Sequence, residues 1–354
     1  QKQASLCYKK LNMSKKNSIA QNHKKFLLNS DKILNVYENF KSKINKLKTN
    51  LFLVAVSGGE DSLALTFLCK LYEMENKEKN FNYVHINHNL RKRSAREANF
   101  VKRLLKKKDI KLNILSNKKK ISKNIQHAAR QVRYGLLKKF CSDKGINYII
   151  TAHHSDDQIE TFLIRLSRGS GVQGLSSMKL ISNLDNKIKI FRPLLNFKKA
   201  DLSHISKKVF KSHVKDLSNY NEKFLRVKIR KLKKTLSKYG IEDRQILKSI
   251  SNLQSTSNII NKELVKIYSK IVVKKKNKYQ INYDDFRHLN DEAKLKLFGK
   301  IIKNIKKSDY PPRSKKIFIA IDNLSTKEKV EHKMGGCLFT RKRGTIFIEK
   351  LVKS

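Results

Sequence analysis

Apolar and polar positions along the first half of the chain keep two rhythms in turn. Leu51-Phe52-Leu53-Val54-Ala55-Val56 is an unbroken apolar run, the pattern of a strand buried on both faces of a parallel sheet. Glycines follow it, then a helical stretch from Ser62 to about Glu75. The alternation then repeats. Strands are predicted at Tyr83–Ile86, Lys111–Leu115 and Tyr148–Thr151, and helices over 94–108, 124–144 and about Asp156 to Leu166. An opening helix is read over 31–47. Strand alternating with helix predicts an α/β fold, a doubly wound parallel sheet covered by helices. Ligands on such sheets sit at the carboxyl ends of the strands.

After Arg192-Pro193-Leu194-Leu195 the rhythm changes, and residues 198–270 read as polar and helical with no clear strand. From about 279 a small α+β unit is predicted, with helical stretches near 291–305 and 313–321. It ends in a hairpin, Cys337 to Thr340 and Thr345 to Ile348, turned at Arg343-Gly344. The pattern divides the chain into a basic arm over 1–30, a doubly wound domain over 31–215, a helical linker over 216–275 and a C-terminal α+β domain over 276–354. Lys274-Lys275-Lys276 reads as a solvated loop. No internal repeat is present.

Charge sharpens this picture. Lys and Arg number 81 against 29 Asp and Glu, a formal net charge of +52, and a field that positive points to a polyanionic partner. Abundant Lys, Asn and Ile, with no Trp and three Pro, mark a background bias that accounts for part of the excess. The chain lacks the long apolar run of a membrane helix. Its start, with Lys9, Lys10, Lys15 and Lys16, lacks the apolar core of a signal peptide, and Met13 is an alternative start. Cys7, Cys69, Cys141 and Cys337 form no C-x-x-C pair, which argues against a disulfide scaffold, a zinc ribbon or a locally held cluster. A cytoplasmic location is expected.

The strongest chemical signal is Ser57-Gly58-Gly59-Glu60-Asp61-Ser62, between strand and helix. Two glycines let backbone N–H groups close on an anion. The hydroxyls of Ser57 and Ser62 and the helix N-terminus add to the attraction. The sequence is neither a Walker A loop nor G-x-G-x-x-G. Asp61 is acidic in an anion site, which fits a bound Mg²⁺. The other dense stretch, Thr151 to Thr161, reads TAHHSDDQIET. Asp156 and Glu160 share one helix face, and His153 and Asp157 another. Such a cluster suits zinc, a bound cation or proton transfer, the last two fitting better.

The loop from Ser57 to Ser62 resembles the signature of the N-type ATP pyrophosphatase, or PP-loop, superfamily. Further motifs resemble tRNA(Ile)-lysidine synthetases. His85-Ile86-Asn87-His88-Asn89-Leu90-Arg91 is similar to a His-x-Asn-His-x-Leu-Arg segment; Asn89 stands where Gly is more familiar, and Asn tolerates the left-handed region. NIQHAARQVRY over 124–134, the 153–160 cluster, Arg168-Gly169-Ser170-Gly171, Arg192-Pro193-Leu194-Leu195 and Asp216-Leu217-Ser218-Asn219 also match, with Leu217 in place of the usual Pro. Gly335-Gly336-Cys337 resembles a turn of longer members. The resemblance is dense over 51–231 and sparse beyond.

What it implies is a ligase of tRNA processing. ATP and Mg²⁺ would serve to adenylate the 2-oxygen of the wobble cytidine of isoleucine tRNA with a CAU anticodon. Free L-lysine then displaces AMP to give lysidine. ATP would contact Ser57, Gly58, Gly59, Glu60, Asp61, Ser62, His88 and Arg91, with Asp61 on the metal. Asp61, His154, Asp157 and Glu160 would be catalytic. Arg130, Arg133, Arg168, Arg226 and Arg230 would hold substrate or tRNA. The domain over 31–215 becomes the PP-loop catalytic domain, and the region over 216–275 grips tRNA. No membrane partner is expected, and a homodimer is allowed. Two alternatives stay open: another PP-loop tRNA-modifying enzyme such as a thiolase, or a catalytically inactive RNA-binding protein.

Overall fold

The computed structural model describes residues 30–89, 93–117, 125–215, 224–276, 278–306, 312–326 and 330–351. Arg91 and the 216–219 motif lie outside the described residues. The chain forms two compact units that divide at Asn252/Leu253.

The first unit opens with helix α1 (Asp31–Ile44), followed by β1 (Leu51–Ala55), α2 (Glu60–Glu75), β2 (Asn80–Asn87), α3 (Ser94–Lys106), β3 (Leu112–Ser116), α4 (Ile125–Lys144), β4 (Tyr148–Ile150) and α5 (Ser155–Leu166). A short helix α6 (Val172–Leu175), strands β5 (Ile181–Asn183) and β6 (Lys189–Phe191), and helices α7 (Lys199–Phe210) and α8 (Leu225–Lys238) follow, with the start of α9 (Asp243–Ile271), whose later residues belong to the second unit. The six-stranded sheet has the order β3-β2-β1-β4-β6-β5. It is parallel except for β5, which pairs antiparallel with β6. The expected doubly wound parallel sheet is therefore present, with an antiparallel edge strand added.

Side-chain alternation explains the layering. Phe52 and Val54 of β1 enter a core shared with α1, α2, α3 and α7, while Leu53 between them faces a second core with Leu137 and Cys141 of α4. Both faces of β1 are thus dry, as its unbroken apolar run requires. A smaller core joins Ile159 and Leu163 of α5 to Ile229 of α8 and to Ile246 and Ile250 of α9. From β1 the chain steps outward to β2 and β3, then crosses back from β3 to β4 on the other side of β1. The crevice between the carboxyl ends of β1 and β4 is the topological switch point, where such folds bind ligands.

The second unit is a five-stranded antiparallel sheet, ordered β7-β8-β11-β10-β9. Its strands are β7 (Val272–Lys275), β8 (Lys278–Asn282), β9 (Val330–Met334), β10 (Cys337–Lys342) and β11 (Thr345–Lys350), and its helices α10 (Tyr283–Arg287), α11 (Asp291–Lys306) and α12 (Ser314–Thr326). The last hairpin turns at Arg343 and Gly344, both with positive φ, as a tight two-residue hairpin turn demands. Phe286, Phe298 and Phe339 meet in the core. Lys274 and Lys275 lie in a strand rather than a loop, because their backbone pairs with Tyr279 and Lys278 of β8.

Candidate active site at the switch point

β1 delivers residues 56–59 to the switch point, and α2 carries the chain away. The turn is organised by one hydroxyl: Ser62 Oγ accepts the backbone N–H of Ser57 at 3.2 Å and of Gly58 at 3.0 Å. It donates to the Gly59 carbonyl at 2.9 Å, and Ser57 Oγ lies 3.0 Å away. Gly58 has φ +87, and a Cβ there would come within 2.5 Å of Val101 Cγ2. Only glycine fits that conformation and that space. Its carbonyl accepts the N–H of Val214 at 2.9 Å, so the loop is fixed from outside as well. Glu60 Oε1 lies 3.6 Å from His213 Nδ1.

Across the crevice, β4 delivers Thr151 to His154 and α5 begins. Asp157 Oδ2 accepts the backbone N–H of His154 at 3.1 Å, capping α5. The buried His154 ring also bridges to the glycine turn. Its Nε2 stands 3.4 Å from Asp157 Oδ2 and 3.6 Å from Asp61 Oδ2. Burial pulls the His154 pKa down, but the hydrogen bond to Asp61 and the charges of Asp157, Asp61 and Asp156 outweigh it and raise it above 6.5. Asp61 Oδ1 is buried without a hydrogen-bond partner. The structure therefore brings Asp61, His154 and Asp157 into one contact group.

His153 points elsewhere. Its Nδ1 meets Thr151 Oγ1 at 2.8 Å, and its pKa is pushed down to about 3 by burial and by Arg192, Arg226, Arg130 and Arg133. His88 is lowered in the same way, by burial and then by Arg133 and His85. Arg130, Arg133 and Arg226 thus converge on one strongly positive region. Among the described residues, no carboxylate pairs with any of the three. Guanidinium groups left without a carboxylate have the chemistry to hold an anion.

Arg230 and Glu160 are committed to each other. Arg230 Nε donates to Glu160 Oε1 at 2.5 Å, and the Glu160 side chain is 4% exposed. Lys233 donates to Asp156 at 2.6 Å and lies 2.8 Å from Asp243, while the Lys199 N–H reaches the other Asp156 oxygen at 2.9 Å. These pairs clamp α8 onto the start of α5. Arg168 is exposed in the turn after α5, and its side chain contacts no described member of the cluster. Motif reading singled out His153 and Arg192 without giving either a role, and it missed Lys233. Lys233 carries a signal, since it lies one turn beyond Arg230 on the same face of α8. Arg192 is buried, with Nη1 donating to the Lys179 carbonyl at 3.0 Å and to Ser182 Oγ at 2.9 Å.

Comparison with known proteins decides among the chemistries this geometry allows. The profile of the PP-loop domain family matches residues 32–236. A tRNA(Ile)-lysidine synthase of Wolbachia pipientis wMel is 34% identical over 292 residues, 81% of this chain and 68% of that protein. The chain belongs to the tRNA(Ile)-lysidine synthase family. A synthase of Orientia tsutsugamushi is 36% identical over 233 residues, 61% of this chain and 52% of that protein. A U34-tRNA thiolase from Methanococcus maripaludis superposes with a TM-score of 0.54 at 15% identity, covering 63% of this chain and 79% of that one; that likeness shows the fold alone. The family's ATP-using PP-loop region spans the first unit's sheet and both walls of the crevice.

Proposed function

We infer that the chain ligates lysine to the wobble cytidine of isoleucine tRNA with a CAU anticodon, releasing AMP and pyrophosphate. The observation that carries the residue roles is the meeting of two walls at the switch point: the glycine turn with Asp61, and His154 with Asp157. One wall suits a polyphosphate and the other a cationic amine, and the reaction needs the phosphate at the cytosine 2-oxygen and the amine at the carbon that bears it.

In the first half-reaction the cytosine 2-oxygen attacks the α-phosphorus and pyrophosphate leaves. The chain's part is electrostatic: the turn and the N-terminus of α2 hold the phosphates, and Arg130, Arg133 and Arg226 face the charge that develops. Asp61 would hold Mg²⁺, since its buried Oδ1 has no partner. Among the described residues there is no cage of three or more ligands, and one carboxylate plus substrate phosphates is the usual magnesium arrangement. The ion supplies neutralisation of phosphate charge.

In the second half-reaction the lysine ε-amine bonds to the activated carbon and AMP departs with the former 2-oxygen. The amine has a solution pKa of about 10.4 and must give up a proton first. Asp157 holds the ammonium, and His154, in contact with it, assists. Glu160, already bonded to Arg230, acts by fixing α8 rather than by touching the amine. The thiolase reading lacks support among the described residues: Cys69, Cys141 and Cys337 are buried free thiols, and burial pushes Cys141 up to about 12, far from a reactive thiolate.

The test is transfer of labelled lysine. Purified protein with ATP, Mg²⁺ and a transcript of isoleucine tRNA should make labelled tRNA and equimolar AMP. Labelled lysine left free while the transcript is consumed in another modification would overturn the reading.

A further inference from the structure

A second charged feature of the first unit lies outside the crevice. A groove of about 360 Å³ runs between α3 and the segment over 211–215. Arg93, Arg96, Phe100 and Arg103 line one wall, with Glu97, and His213, Val214 and Lys215 line the other. On a helix, positions 93, 96, 100 and 103 form one stripe. Phe100 packs down on the core and leaves the three guanidinium groups, all exposed, in a row.

A row of like charges on one helix face opposes folding unless something answers it. Among the described residues, no carboxylate forms an ion pair with Arg93, Arg96 or Arg103, and Glu97 is the groove's one acidic side chain. Background bias explains this poorly, because the chain's excess is mostly lysine while three of the groove's cations are arginine. Arginine is the residue that grips phosphate through paired N–H groups.

The groove's wall is also the support of the phosphate loop. Val214 donates to the Gly58 carbonyl at 2.9 Å, and His213 stands 3.6 Å from Glu60. Val101, which closes on Gly58 from the other side, belongs to α3. A strand of RNA with one base presented to the switch point would therefore find these cations within the same local scaffold. We propose that the α3 groove holds backbone phosphates of the RNA substrate, positioning it without contact with the reacting atoms. The proposal rests on the tRNA-ligase reading for the identity of its ligand.

The test uses the double variant Arg96→Glu/Arg103→Glu in the full chain, with Arg96→Gln/Arg103→Gln as a milder companion and circular dichroism to confirm folding. In filter binding without ATP or lysine, tRNA affinity should fall at least about tenfold for the charge reversal. The slope of log affinity against log salt should drop by about one to two. In lysine transfer, the KM for tRNA should rise while kcat and the KM for ATP stay at wild-type values. Unchanged tRNA affinity and salt slope in both variants would overturn the proposal. So would a raised KM for ATP with tRNA binding intact, which would make the groove a nucleotide site. Wild-type protein that binds tRNA through the groove yet transfers no lysine would instead sink the ligase reading and leave the groove standing.

Discussion

Replacing Gly58 by Ala separates the glycine turn from an ordinary loop. At φ +87 a residue with a side chain costs about 1–3 kcal/mol in backbone strain. The added Cβ would also stand 2.5 Å from Val101 Cγ2 and 3.2 Å from Val214 Cγ2. Val101 is fully buried in α3, and a β-branched side chain in a helix has one strongly preferred rotamer, so it cannot swing aside. Overpacking of this kind costs about 1–3 kcal/mol more, for a total of about 2–6 kcal/mol. Gly59→Ala is the control: its φ is −77 and the nearest atom to a new Cβ is 3.7 Å away. That change should cost under about 1 kcal/mol, the loss of a glycine N-cap. Urea denaturation gives the stabilities, and the KM for ATP reports the loop. Gly58→Ala should lose stability and raise the KM for ATP at least about tenfold, by displacing the 211–215 segment or the loop itself. Equal stability and equal KM in the two variants would refute the reasoning.

Two further outcomes follow from the charge pairs. Arg230→Met strands the Glu160 carboxylate, whose side chain is 4% exposed; with the arginine itself partly in solvent, the loss should be about 2 kcal/mol in urea denaturation, and adding Glu160→Gln should recover part of it. His154 has a folded pKa above the ordinary 6.5, so its charged contacts stabilise fully below about pH 6.5 and fade as pH rises through the folded value. His154→Gln should therefore destabilise more at pH 6 than at pH 9, and a pH-independent difference would remove the charge from the explanation.

The parts of the fold legible in the sequence are those whose pattern is set locally. β1 announces itself because both its faces are buried, and the loop after it because two glycines sit between a strand and a helix. β7 and β8 were hidden by lysines: Lys274 and Lys275 point a strand towards solvent, and only pairing with Tyr279 and Lys278 makes it one. β5 and β6 have three residues each, too few for a period to show. In the site, Asp61, His154 and Asp157 were visible because strand ends place them at the sheet's ligand edge. The partnership of Arg230 with Glu160, 70 residues away in sequence, and of Lys233 with Asp156, 77 residues away, has no local signal. The helical spacing of Asp156 and Glu160 was right in placing both on α5, yet it could not show that α8 supplies a cation to each.

Asp157→Asn in a single-turnover reaction separates the two chemical steps. With transcript, ATP, Mg²⁺ and labelled lysine, the variant should still bind ATP and release pyrophosphate while labelled lysine stays off the tRNA. Lysidine formed at the wild-type rate by this variant would contradict the placing of the amine against the His154–Asp157 wall.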